Sequence, residues 1–388
     1  RPLRRGSGEA RRALGLPCSG SRLPHPHAAM RRSPCPGVTH QSGLSRVCNS
    51  ILCAVCVAPV VLLLALYLLG WNERRAVCDV RAIDEGEKEV MPVGCGSSTA
   101  GDGGLVMFQC DLSKDGLQPL SPSGSAFASR LEFVGTGLET HIEMLQCVEK
   151  SSSRTTKDPI GGGTTTVTTY WYEVEWRDEP VDSFEFKRRM SDSFWDNCGV
   201  DNPPWSSAWP AKGAVYAPSV KAGAFTLPPL YVQRVPLDAQ VTAGSMPPGW
   251  SKEGDYYKTQ GGSANLAGIG QVRVMFKGTN WDNPRVTVLG KNTGGTLGRW
   301  TASDSWLCSG FTLRDLRMGS VSEADLFAAL ESEANSLTTV LRVAGFLLAW
   351  FAISRLFVPL EVAADCIPCV GPFLGNSIAA ITCCVSCL

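Results

Sequence analysis

The sequence predicts a multipass α-helical membrane protein with a large β-rich (α+β) extracytoplasmic domain between its first and second spans. Three observations predict it. Residues 51–70, "ILCAVCVAPVVLLLALYLLG", form an uncharged apolar run. A second apolar stretch, 337–358, carries two cations, Arg342 and Arg355, and no acid. Between them, residues 71–336 hold repeated segments rich in β-branched and aromatic residues.

The chain begins with a basic tail. Its 388 residues balance 36 basic against 36 acidic side chains, so no global charge draws it to nucleic acid. Residues 1–46, however, hold nine arginines against Glu9 alone, in a background of Pro, Ser and Gly that cannot bury enough apolar surface to fold by itself. Met30, ahead of "RRSPCPG", reads as a start site with the preceding segment mis-assigned. A transit peptide is the rival reading of so Arg-rich a tail.

The 51–70 run has the length that spans a hydrocarbon core of about 30 Å. Pro59 interrupts it, which spanning helices tolerate when neighbours satisfy the freed carbonyl. The run is longer than a signal-peptide core and exits into the bulky, charged "WNERRAV", so a retained anchor is expected. In the second span, 337–358, Arg342 and Arg355 lie about 20 Å apart along a helix. Centred in the bilayer, each would sit about 5 Å inside its own edge, close enough to snorkel to headgroups. A loop at 359–373 then leads to a third apolar run, 374–388, too short to cross and therefore expected to be the start of a truncated span. The N-terminal arginines place residues 1–46 in the cytoplasm and the 71–336 domain on the far side.

Within that domain, residues 104–112, 142–150, 166–178, 271–278 and 285–290 read as strands. In "TVTTYWYEVEWRD", Tyr170, Tyr172, Val174 and Trp176 alternate with Trp171, Glu173, Glu175 and Arg177, the period of a half-buried strand. "SSSRTTKDPIGGG" reads as the loop between two of these strands, and 179–265 as irregular chain with short helices. Near the second span, "SVSEADLFAALESEANS" predicts a helix capped by Ser322 and Asp325. Its apolar stripe is Leu326, Phe327, Leu330, Ala334 and Leu337, and it runs toward the membrane.

Material for catalysis is thin. Of four histidines only His141 lies in the middle region, beside Glu139, and it is expected to be structural rather than a base or ligand. The acidic cluster at 84–89 reads as solvated surface. No phosphate-cradling loop occurs, and no metal or cofactor is expected. Six cysteines, Cys78, Cys95, Cys110, Cys147, Cys198 and Cys308, are candidate disulfide formers if the domain is luminal, with one or two bridges expected at their wide spacing. Cys366 and Cys369, in "CIPC", have the spacing of thiol-exchange motifs but lack a surrounding βαβ unit. They are candidates for redox chemistry or acylation.

"NERRAV", "HIEMLQCVEK" followed by "YWYEVEWRDEPVDSFEFKRR", "GDYYKTQ" and "ANSLTTVLRVAGF" occur in an order and at distances from the membrane that resemble the transmembrane protein 43 (LUMA) family. The resemblance covers about Gly70 to Leu388. It implies a family architecture of four spans, of which this chain lacks the fourth, around a domain in the endoplasmic reticulum lumen or perinuclear space. It also implies a non-enzymatic scaffold of the endoplasmic reticulum and inner nuclear membrane that self-associates and organises other membrane proteins, emerin and lamins where the source is animal-like. The bilayer and a homo-oligomer are thus the expected partners, with no nucleic acid. The alternative reading is a membrane thiol–disulfide oxidoreductase using Cys366 and Cys369.

Overall fold

The structure is a computed structural model that describes residues 36–123, 126–157, 163–187, 191–259 and 268–364. Strand β1 (Pro36–Gln41) leads into a long helical rod made of α1 (Gly43–Leu52), a π-helical turn (Cys53–Val57) and α2 (Ala58–Glu89). Pro59 accounts for the turn. It has no N–H to return to the carbonyl one turn back, and the wider turn ahead of it absorbs that break.

The domain follows as β2 (Met91–Pro92), β3 (Leu105–Ser113), β4 (Gly137–Lys157), β5 (Thr164–Arg177), α3 (Asp192–Asn197), β6 (Gly213–Tyr216), β7 (Val220–Ala222), β8 (Phe225–Leu227) and α4 (Pro229–Val232). It continues through β9 (Leu237–Val241), β10 (Trp250–Glu253), β11 (Tyr256–Thr259), β12 (Val272–Thr279), β13 (Arg285–Thr293), β14 (Thr296–Gly298), β15 (Trp300–Thr301), β16 (Thr312–Leu313) and β17 (Asp315–Met318). Helix α5 (Glu323–Ala364) then runs unbroken for 42 residues.

Two sheets carry the domain. In the first, β4 and β12 are central and antiparallel, with Val274 opposite Ile142, and the order is β1-β5-β4-β12-β11-β10. Alternate residues Ile142, Met144, Val272, Val274 and Phe276 point to one side and are fully buried with Phe127 and Tyr257. In the second sheet, β3 and β13 pair antiparallel, and Phe108, Val286 and Val288 bury with Phe225 and Tyr231. The Tyr231 hydroxyl donates to the carbonyls of Leu289 (2.9 Å) and Gly298 (3.0 Å), so its burial leaves no orphaned group. Burial pushes that phenol's pKa far above its ordinary value.

The fold class needs correction. A multipass α-helical class does not describe this chain. Seventeen strands hold about as many of the described residues as the helices do, and only two helices among the described residues, Cys53–Glu89 and Glu323–Pro359, are long and apolar enough to cross a membrane. The third apolar run, 374–388, lies outside the described residues. Apolar runs dominate a hydropathy reading because each is continuous, whereas short strands scatter the same residues in alternation.

Two local expectations also change. Residues 179–265 are not irregular, since β6 to β11 lie within them. Strands of three to five residues cut by Pro and Gly give no periodic signal and form only because longer neighbours offer an edge. Most of the "SSSRTTK" segment is strand rather than loop. Ser151 through Lys157 pair with Thr164 through Tyr170, a Ser/Thr ladder with side-chain bonds such as Ser153–Thr168 at 2.8 Å.

Candidate functional site

A connected polar site lies where α2 and α5 leave their apolar sections. Asn72, two residues past Gly70, is fully buried between the helices. Its Nδ2 donates to the Thr338 carbonyl (3.0 Å), and its Oδ1 accepts from the Arg75 guanidinium (3.3 Å). Arg75 also donates to Thr338 Oγ1 (3.1 Å) and to Asp79 (2.6 Å). Thr338, in turn, donates to the Ala334 carbonyl of its own helix (2.7 Å). A buried amide here has no water to fall back on, so each bond is worth keeping.

Arg342 completes the clamp. Its Nε and Nη2 donate to the two carboxylate oxygens of Glu73, both at 2.6 Å, in a bidentate fork. Three residues on, Gly345 lets the helices touch, because a Cβ there would run into the side chain of Leu69. These contacts fix an antiparallel register in which Arg342 is level with Glu73 and Gly345 is near Leu69.

That register revises where the two cations stand. The sequence expectation had both arginines snorkelling from inside opposite edges. Instead, Arg342 is paired with a carboxylate beyond the end of the 51–70 run. Arg355 lies about 20 Å further along α5, level with the middle of that run. It is exposed, with its guanidinium 4.6 Å from the centre of the Phe351 ring.

The clamp is fastened to the domain. Cys78 of α2 is disulfide-bonded to Cys308. Arg74 Nε donates to the Leu307 carbonyl (2.9 Å), and Glu85 accepts from the Ser303 N–H (2.7 Å) and hydroxyl (2.8 Å). Residues 84–89, expected as plain solvated surface, therefore include a docking contact. Gly86 is buried against Leu313, where any side chain would collide. On the other helix, Ser322 and Asp325 form the expected cap: Ser322 Oγ accepts from the Asp325 N–H (3.2 Å) and donates to its carboxylate (2.6 Å). Leu326 and Phe327 bury against Ile83 and Leu105, but Leu337 faces outward, 48 % exposed. Arg317 of β17 adds a tie to Glu333 of α5 (2.6 Å) while also holding Asp315.

All six middle-region cysteines are paired: Cys78–Cys308, Cys95–Cys110 and Cys147–Cys198. The expectation of one or two bridges was one short. Wide sequence spacing says nothing about separation in a folded sheet, and Cys147 and Cys198 meet because α3 packs on β5 beside β4. His141 and Glu139 sit on one face of β4, with Nε2 3.1 Å from the carboxylate. No group of three or more His, Cys, Asp or Glu that could hold a metal occurs among the described residues. Cys366 and Cys369 lie outside them. Sequence reasoning missed Asn72, Glu73, Arg75 and Thr338. The signal was a polar cluster directly after one apolar run, matched by hydroxyls at the start of the next.

Comparison with known proteins supplies the family. Over 345 residues the chain is 27 % identical to transmembrane protein 43 of Mus musculus, covering 85 % of this chain and 80 % of that protein. It is 27 % identical over 330 residues to the Drosophila melanogaster homolog, covering 81 % of each. It is 26 % identical over 345 residues to the Homo sapiens protein, covering 85 % of this chain and 80 % of that one. No solved structure matches it. The family match spans residues 144–388, from the heart of β4 through the whole of α5. The chain therefore belongs to the transmembrane protein 43 family.

Proposed function

We propose that the chain is a non-enzymatic scaffold of the endoplasmic reticulum and inner nuclear membrane, acting by self-association and by binding other membrane proteins. In this reading α2 and α5 cross the bilayer, residues 1–46 are cytoplasmic, and the strand-rich domain is luminal. Three disulfides support the luminal placement, because such bonds persist in oxidising compartments and are rare in the cytosol.

Arg355 is the observation that carries self-association. The Glu73–Arg342 register sets it at mid-depth on an uncovered face of the helix pair. A guanidinium facing hydrocarbon there is costly, and charges at that depth almost always face protein or a water-filled cavity. A neighbouring subunit supplies that cover. The domain moves with the pair, since a disulfide, the Glu85–Ser303 bonds and one continuous helix join them. Assembly in the membrane thereby arranges the luminal faces that bind partners.

The orientation has a structural consequence. β1 directly precedes α1, at the end of the rod remote from the domain, yet it pairs with Thr164–Thr169 near the tip of the β4–β5 ribbon. A polar two-stranded ribbon with open edges cannot lie in lipid beside the helices. In the bilayer, β1 and the ribbon therefore part. The thiol–disulfide alternative rests on Cys366 and Cys369, and no described residue adds support to it.

Arg355→Leu tests the proposal. In lipid nanodiscs the wild type should have the mass of more than one chain, and the variant should fall to a single chain. A monomeric wild type, or an assembly indifferent to the substitution, overturns the reading.

A further inference from the structure

The 303–308 segment descends along α2 toward the membrane in three steps. Ser303 is held by Glu85, Cys308 is bonded to Cys78, and the Leu307 carbonyl is held by Arg74. At 1.5 Å per helical residue, these anchors stand about 22, 12 and 6 Å beyond Gly70, where the 51–70 run ends. The interfacial layer on each side of a bilayer is about 5–8 Å deep. The tip of the segment thus lies at headgroup height if α2 spans.

That tip is a closed turn. The Ser305 N–H donates to the Cys308 carbonyl (2.7 Å), and the Cys308 N–H donates to Ser305 Oγ (3.1 Å). Trp306 projects from it, 95 % exposed, the most exposed of the large apolar side chains among the described residues. An indole held out by a disulfide-braced turn is odd for a surface facing only water. A second tryptophan, Trp71, stands on α2 one residue past Gly70 and is 46 % exposed. It lies one helical turn before Arg74, on the same side of α2 as the turn's anchor. Two exposed indoles and an arginine within about 6 Å of height make the composition of an interfacial belt.

We infer that the 305–308 turn is a membrane-interface anchor: Trp306 seats in the lipid headgroup layer beside Trp71 and sets the tilt of the domain on the bilayer. The occupant of this surface is lipid. The indole suits that layer because its ring is apolar while its N–H can bond to water or to lipid carbonyls. This inference rests on the reading that α2 and α5 span.

The test uses the full chain in vesicles, comparing wild type with Trp306→Phe. Because the chain has eleven tryptophans, the readout is the emission difference between the two proteins. Trp306 should contribute blue-shifted emission that is quenched by lipids brominated just below the headgroup and untouched by aqueous acrylamide. A red-shifted contribution quenched by acrylamide places Trp306 in water and overturns the inference. A contribution shielded from both quenchers means that protein covers it, which overturns the inference equally. An intact Cys78–Cys308 bridge in the variant certifies its fold. Carbonate extraction separates the underlying reading: release from vesicles removes the spans themselves, whereas retention with a water-exposed Trp306 removes only the anchor.

Discussion

Arg342 and Glu73 meet across the two long helices in a bidentate pair, both N···O distances 2.6 Å, just beyond the apolar section of α2. One geometric fact thereby sets helix register, the level of Arg355 against α2 and the closing of the clamp. Removing either partner alone should lower the thermal unfolding midpoint in nanodiscs. The double exchange Glu73→Arg with Arg342→Glu should recover most of the loss. A swap no better than the singles would mean that the pair does not set the register.

The three bridges should differ in worth, because the stabilisation a disulfide gives grows with the length of chain it closes. Cys78–Cys308 closes 230 residues and Cys95–Cys110 closes 15. On chain-entropy grounds their removal should cost about 5 and about 3 kcal/mol. Paired Ser substitutions followed by denaturant unfolding measure both. Equal losses would show that native contacts, not loop closure, dominate.

The β1–β5 pairing supplies a reporter of topology. Val38 and Val167 stand opposite each other in that ladder. Cysteines at these two positions should bridge under mild oxidation in detergent and stay apart in intact vesicles. Bridging in vesicles would contradict the assignment of residues 1–46 and the domain to opposite faces.

Acid should destabilise the domain through its cross-strand ion pairs. A hydrogen bond from Arg285, opposite it in register, holds the Asp111 carboxyl below its usual range. Lys150 first, then Trp171, do the same for Glu173. For a carboxylate depressed in the folded state, the stabilisation is complete above the unfolded value of about 4 and is lost as pH falls through the folded value. The unfolding midpoint should therefore drop below about pH 4, and Asp111→Asn should flatten that limb. An unchanged acid limb in the variant would remove Asp111 from the account.

Sequence and structure divide along physical lines. The five predicted strand segments each lie within a strand to within one residue, and the Ser322 cap forms, because alternation and capping are local and leave a local signature. The short strands β6 to β11 left none. Their pairing is decided by neighbours distant in sequence: β4 for β6, β12 for β9 and β11, and β3 for β7. Arg342 and Arg355 looked equivalent as letters in one apolar stretch. Glu73, 269 positions away, made one a clamp and left the other uncovered.

By itself the sequence determined the two apolar rods, the presence of β-structure between them, the family resemblance, and which cysteines were available to pair. Tertiary structure decided how the strands pair into two main sheets, which cysteines meet, which cation has a partner, and that one tryptophan is held out at the foot of the domain. Hydropathy and periodicity are properties of neighbours along the chain, whereas pairing and depth depend on which distant residues the fold brings to the same place.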